Sequence, residues 1–134
     1  MNLPDKGQLF REAFRALKPG GTFAVYDVMQ TGAAHPDFPL PWSSVSESSF
    51  LEKPETYRMA ASAAGFGLEA ERARGEFAKE FFAKLAASLA QSGPPPVGLG
   101  LVMGPDAQVK IGNMVKGVGA GNIAPVEMIF RKPG

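Results

Sequence analysis

The 134-residue sequence predicts an α/β domain. Three observations carry that reading. Stretches with a helical apolar period alternate with short apolar runs, and glycine and proline gather at the junctions between them. The first short run, Thr22-Phe23-Ala24-Val25-Tyr26-Asp27-Val28-Met29, barely alternates. It reads as a strand covered on both faces, the habit of parallel sheets. A chain of this length supports a single core.

The elements follow in order. Asp5 stands three residues before Gln8, a capping-box start, and Leu9, Phe10, Ala13, Phe14 and Leu17 then recur at helical spacing. Lys18 suits the negative end of that helix, and Pro19-Gly20-Gly21 stops it. After the first strand, residues 30–51 are irregular, with Pro36, Pro39 and Pro41 around Phe38, Leu40 and Trp42 and then a serine-rich stretch. Loops this long are usually functional or mobile. Lys53-Pro54-Glu55 opens a second helix that packs through Tyr57, Met59, Ala60, Ala63 and Ala64 and ends at Gly65. Residues 66–74 alternate as a strand nearer an edge than the sheet centre. A third helix, about 75–91, carries Phe77, Phe81, Leu85 and Leu89 four apart with Phe82 flanking them, and the Phe77, Phe81, Phe82 and Leu85 stripe is expected to pack into the core or to form a dimer surface. Gly93 and Pro94-Pro95-Pro96 close it, and 97–104 is apolar but broken by glycine. A fourth helix begins near Pro105-Asp106 and turns Ala107, Ile111, Met114 and Val118 inward, although Gly112, Gly117 and Gly119 weaken it. The last strand is 123–131.

Composition excludes several classes of function. The formal net charge is +1, which argues against a dedicated nucleic-acid binder. There is no cysteine, so disulfide scaffolds, thiolate metal sites and cysteine nucleophiles are ruled out. No apolar run approaches the roughly 18 residues of a membrane span, and the first residues do not read as a signal peptide. A cytoplasmic, soluble protein is the expectation. Three strands are few for so many covering helices, and the first strand has no predicted neighbour ahead of it. A strand of that character left at an edge invites another chain. The expectation is therefore the second half of a larger α/β fold, or an obligate oligomer such as a homodimer.

The run Met1-Asn2-Leu3-Pro4-Asp5-Lys6, then Leu9-Phe10-Arg11-Glu12, then Leu17-Lys18-Pro19-Gly20-Gly21-Thr22-Phe23-Ala24-Val25-Tyr26-Asp27 resembles the middle of a class I S-adenosylmethionine-dependent methyltransferase. The nearest group is the small-molecule type allied to ubiquinone/menaquinone-biosynthesis and sarcosine/dimethylglycine methyltransferases. Gly98-Leu99-Gly100-Leu101, Met103-Gly104 and Lys110 with Asn113-Met114 resemble the helical insertion before the seventh strand of such enzymes. The resemblance implies an incomplete Rossmann-like methyltransferase fold over residues 1–134, with an insertion at about 75–119 and S-adenosylmethionine as cofactor. It also implies a gap. The family's glycine-rich first loop and the acidic residue that holds the ribose are expected upstream of Met1, and neither Gly98-x-Gly100 nor Gly117–Gly121 follows a strand as such a loop must. The expected chain is the acceptor side of a small-molecule methyltransferase, inactive alone and needing a complementary N-terminal half. The alternative is a non-catalytic module that dimerises or binds a partner.

Five residues are candidates for the site. Tyr26 and Asp27 lie near the C-terminal end of the first strand, where open α/β sheets place ligands. A carboxylate there can orient a substrate amine or hydroxyl, or it can simply cap the following loop. Asn2 follows what the resemblance makes the fourth strand and would border the cofactor, unless it is a frayed end. Trp42, with Phe38 and Pro41, is either a lid whose face suits a cationic amine or a pin for the long loop. Asn113 shares a helix face with Lys110 and either enters the pocket or faces solvent. His35 has no partner nearby in sequence to make it a metal ligand.

Overall fold

The computed structural model describes residues 1–93 and 103–134. Pro94-Pro95-Pro96, the 97–102 part of the apolar segment and Gly98-x-Gly100 lie outside the described residues. The described elements are α1 (Lys6–Ala16), β1 (Thr22–Gln30), a 3-10 turn (Ser46–Ser48), α2 (Pro54–Ala64), β2 (Gly67–Ala73), α3 (Gly75–Ser92), α4 (Ala107–Gly119) and β3 (Ile123–Arg131).

Local chemistry sets several of these boundaries. Asp5 caps α1 through a side-chain oxygen that accepts the Gln8 amide at 2.7 Å. At the other end of α1, Lys132 rather than Lys18 answers the free carbonyls, donating to Phe14 O at 2.7 Å and Leu17 O at 2.8 Å. Proline opens α2 and Gly65 closes it in the left-handed region at φ 99°.

The sheet order is β1-β3-β2, and β3 runs antiparallel to both neighbours. This corrects the expectation of a parallel sheet with β1 covered on both faces. The last strand in sequence is the central one, and its burial is nearly continuous, whereas alternate residues of β1 are exposed and Tyr26 is 58% exposed. An apolar run of Phe, Ala, Val and Tyr fits one covered face as well as two, so composition alone does not separate an edge from a centre. β2 is an edge strand, as its alternation predicts.

Because side chains alternate along β3, its two faces feed two cores. Val126, Met128 and Phe130 join Phe10, Met29, Tyr57, Ala61 and Phe66 beneath α1 and α2. Phe10 is the hub of that core, meeting Phe130 edge-on at 5.1 Å and Phe23 at 5.6 Å. Ile123 joins Ala78 of α3 and Val118 of α4, with Val28, Trp42, Phe82 and Met114 packed around them. The expected aromatic stripe of α3 is core only in part. Phe77 and Phe81 are 55% and 52% exposed, whereas Phe82, the flanking member of the expected stripe, packs inward with Ala78. Both rows satisfy a helical period, and the contact with Ile123 and Val118 selects the second.

Candidate functional site

A groove of about 310 Å³ runs along β1 from Phe23 to Asp27 and is closed by Met1, Asn2, Leu3, Lys6, Leu9 and Tyr57. Strand β1 supplies its floor, the segment ahead of α1 supplies one wall, and α2 sends Tyr57 in from beneath. Asn2, Tyr26 and Asp27 therefore meet in one place.

Asp27 is the centre of this arrangement. Its Oδ1 accepts the Val28 amide at 3.0 Å, and its Oδ2 accepts the Tyr57 hydroxyl at 2.5 Å. The α-ammonium of Met1 also donates to Oδ2, forming an ion pair, and lies 3.5 Å from the Tyr57 oxygen. Tyr57 is buried, and burial, followed by the bond to Asp27, pushes its phenol above the ordinary tyrosine value. It stays a donor.

Lys6, which lines the same groove, is buried. Its ammonium donates to Leu3 O at 2.5 Å and Phe50 O at 2.9 Å, and it lies 5.5 Å from the centre of the Tyr57 ring. Desolvation lowers its pKa, against the opposing pull of Asp27 and Glu52. With the Phe50 amide donating to Met1 O at 3.0 Å, Lys6 ties residues 1–3 to the chain that leads into α2. The groove wall is thus held by bonds to backbone.

Trp42 and Asn113 do not line this groove. The Trp42 indole donates to Ser49 Oγ at 3.0 Å and packs against the core beneath α3 and α4. Asn113 donates to Pro39 O at 3.0 Å, and Lys110, its neighbour on the helix face, donates to Met103 O at 2.8 Å. Asn113 and His35 border a separate small hollow of about 240 Å³ with Asp37 and Lys116, which are paired at 2.6 Å.

Lys6 and Tyr57 were not among the sequence candidates. A signal existed for Tyr57, since a tyrosine on an otherwise alanine-rich inward helix face needs a partner for its hydroxyl. None existed for Lys6, which reads as an ordinary first-turn cation.

The described residues do not build a nucleoside cradle. β1 leads into a long loop rather than a helix, and only Arg74 separates β2 from α3. No strand among them turns through glycines into a helix N-terminus. Among the described residues, no group of three or more His, Asp or Glu side chains is placed to hold a metal ion. No helix among them is long and apolar enough to cross a membrane.

No protein-family profile matches the sequence, and no curated protein matches it. Solved structures do match. A protein from Galdieria sulphuraria assigned as a sarcosine dimethylglycine methyltransferase superposes with a TM-score of 0.71 at 23% identity, over 99% of this chain and 49% of that one. Haemonchus contortus phosphoethanolamine N-methyltransferase 2, in complex with S-adenosyl-L-methionine, gives 0.64 at 18% identity, over 99% of this chain and 31% of that one. The (4+2)-cyclase SpnF gives 0.60 at 22% identity, over 95% and 45%. The fold is that of the methyltransferases. The chain spans from about a third to a half of the length of these structures. The cyclase shows that one fold hosts more than one chemistry.

Proposed function

We propose that this chain is the acceptor-side half of an S-adenosylmethionine-dependent methyltransferase acting on a small molecule, and that a complementary segment supplies the donor site. The observation that carries the reading is the groove along β1. It places Asn2, Tyr26 and Asp27 together beside a strand with no partner on its outer edge among the described residues. An open edge of this kind takes a further strand. The partial coverage of the structural neighbours supports the same division.

In such an enzyme the cofactor supplies the methyl group, and the described residues contribute position. Asp27 is held by Val28 and Tyr57, so it presents a fixed carboxylate to a small acceptor. Alignment of that kind is a large part of group-transfer catalysis. The same edge supports a second reading, a non-catalytic module in which β1 pairs with β1 of a second copy.

Calorimetric titration with S-adenosylmethionine and S-adenosylhomocysteine, with the solution mass measured on the same sample, tests both readings. A monomer that does not bind either ligand is expected. Saturable binding near one site per chain overturns the division into halves, and a stable dimer without binding favours the second reading.

A further inference from the structure

Resting on the acceptor-side reading, we propose that Asp27 and the Glu52 carbonyl close the outer edge of β1 from Val28 onward. The strand that the complementary segment adds therefore pairs with Thr22–Tyr26 alone, and it turns apolar side chains toward Leu3 and Leu9.

In an antiparallel pair, the backbone groups of successive residues point alternately toward the partner strand and away from it. Val28 stands opposite Pro125, which has no N–H and whose carbonyl accepts the Arg74 amide on the β2 side. Val28 therefore directs its N–H away from β3, and so, at every second position, do Ala24, Tyr26 and Gln30. Two of these amides are already taken. Asp27 Oδ1 accepts the Val28 amide at 3.0 Å, and the Glu52 carbonyl accepts the Gln30 amide at 3.0 Å. Asp27 is itself held by the Tyr57 hydroxyl, so its cap on Val28 is fixed. The amides of Ala24 and Tyr26 have no acceptor among the described residues. An edge that is free over one stretch and capped over the next takes a strand only along the free stretch.

The groove beside that stretch selects the side chains of the added strand. Leu3, Leu9 and Phe23 line it, and Lys6 directs its protons to the carbonyls of Leu3 and Phe50. A charge carried against Leu3 and Leu9 would be buried without a partner. With pairing confined to Thr22–Tyr26, the Asp27 end of the groove stays open to a small acceptor.

Amide hydrogen exchange, read by NMR on the chain alone, is the first test. Val28 and Gln30 are expected to exchange about tenfold more slowly than Ala24 and Tyr26. A β-hairpin peptide of alternating valine and threonine is then titrated in, with saturation read from amide shifts. At saturation, exchange is expected to slow about tenfold at Ala24 and Tyr26 and to stay unchanged at Val28 and Gln30. N-methylating the amides on the hairpin's open edge should abolish saturation, and exchanging its valines for lysine should weaken binding about tenfold. Asp27→Ala frees the Val28 amide, which should then gain protection with the other two. The proposal is overturned if Ala24 and Tyr26 are protected in the chain alone, or if the hairpin gives no saturation. It is equally overturned if Val28 and Gln30 gain protection in the unaltered chain, or if the lysine hairpin binds as tightly. The unaltered chain decides the matter even where Asp27→Ala fails to fold. No readout here requires donor binding or methyl transfer. Saturable S-adenosylmethionine binding would remove the acceptor-side reading and leave the amide pattern interpretable, whereas a protected edge would remove this proposal and leave that reading standing.

Discussion

The hydroxyl of Tyr57 lies 2.5 Å from Oδ2 of Asp27, and this one bond fastens the inward face of α2 to the strand that borders the groove. A buried bond to a charged group contributes about 1.5–3 kcal/mol. Tyr57→Phe is expected to lower stability by roughly that amount in urea unfolding at neutral pH. The folded phenol titrates above the unfolded one, so its contribution is full below the ordinary tyrosine pKa and is lost as pH rises beyond it. The stability gap between wild type and Tyr57→Phe should therefore shrink in alkali. A gap that stays constant with pH would rule out the bond as its source.

Lys6 makes the opposite prediction. Its folded pKa is depressed, chiefly by burial, so the unfolded chain holds more protons in the window between the folded value and the ordinary lysine value. Stability attributable to Lys6 rises with pH through that window. Lys6→Met orphans the carbonyls of Leu3 and Phe50 and should cost about 2 kcal/mol at neutral pH. Faster amide exchange at Phe50, whose N–H is bonded to Met1 O, is the local sign to look for.

Phe10 touches Phe23, Tyr57, Phe66 and Phe130 from the middle of the larger core. Phe10→Ala should destabilise by about 3–5 kcal/mol, measured as a shift of the urea midpoint at unchanged slope. The exposed Phe81→Ser should change stability by no more than about 0.5 kcal/mol. A large loss at Phe81 would mean that α3 faces the other way.

Gly65 holds a left-handed φ of 99°, and a Cβ there would stand 3.1 Å from the Phe14 ring. Gly65→Ala combines backbone strain with displacement of a core aromatic, and a cost of about 1–3 kcal/mol is expected. Relief of part of that cost by Phe14→Leu, in a double-mutant cycle, would identify the ring contact as its second component.

What the sequence disclosed follows the range of the interactions involved. The Asp5 cap and the Gly65 stop act within a few residues and are readable from spacing alone. Asp27 was also readable, since its place near a strand end is a local fact. Its partner Tyr57 lies 30 positions away, and Lys6 reaches a carbonyl 44 positions away, so neither role has a local signature. The sheet order was hidden for the same reason. Nothing within residues 22–30 tells whether β3 pairs on one side or another strand on both. The helical period of α3 is legible, and Phe82 packs as expected, but contact with Ile123 and Val118 turns Ala78 inward rather than Phe77 and Phe81. Trp42 and Asn113 have the chemistry of ligand contacts. Their hydrogen bonds to Ser49 and Pro39 pin the long loop instead.

The central strand is also the last of the three to be synthesised. As the chain leaves the ribosome, β1 and β2 emerge with nothing to lie between them, and each waits for residues 123–131. Closing the three described strands joins segments about a hundred positions apart, as Thr22 meets Arg131. Pairings so distant are slow to form. Until residues 123–131 arrive, the described strands β1 and β2 lack the partner they share, and exposed strand edges of that kind are what chaperones shield.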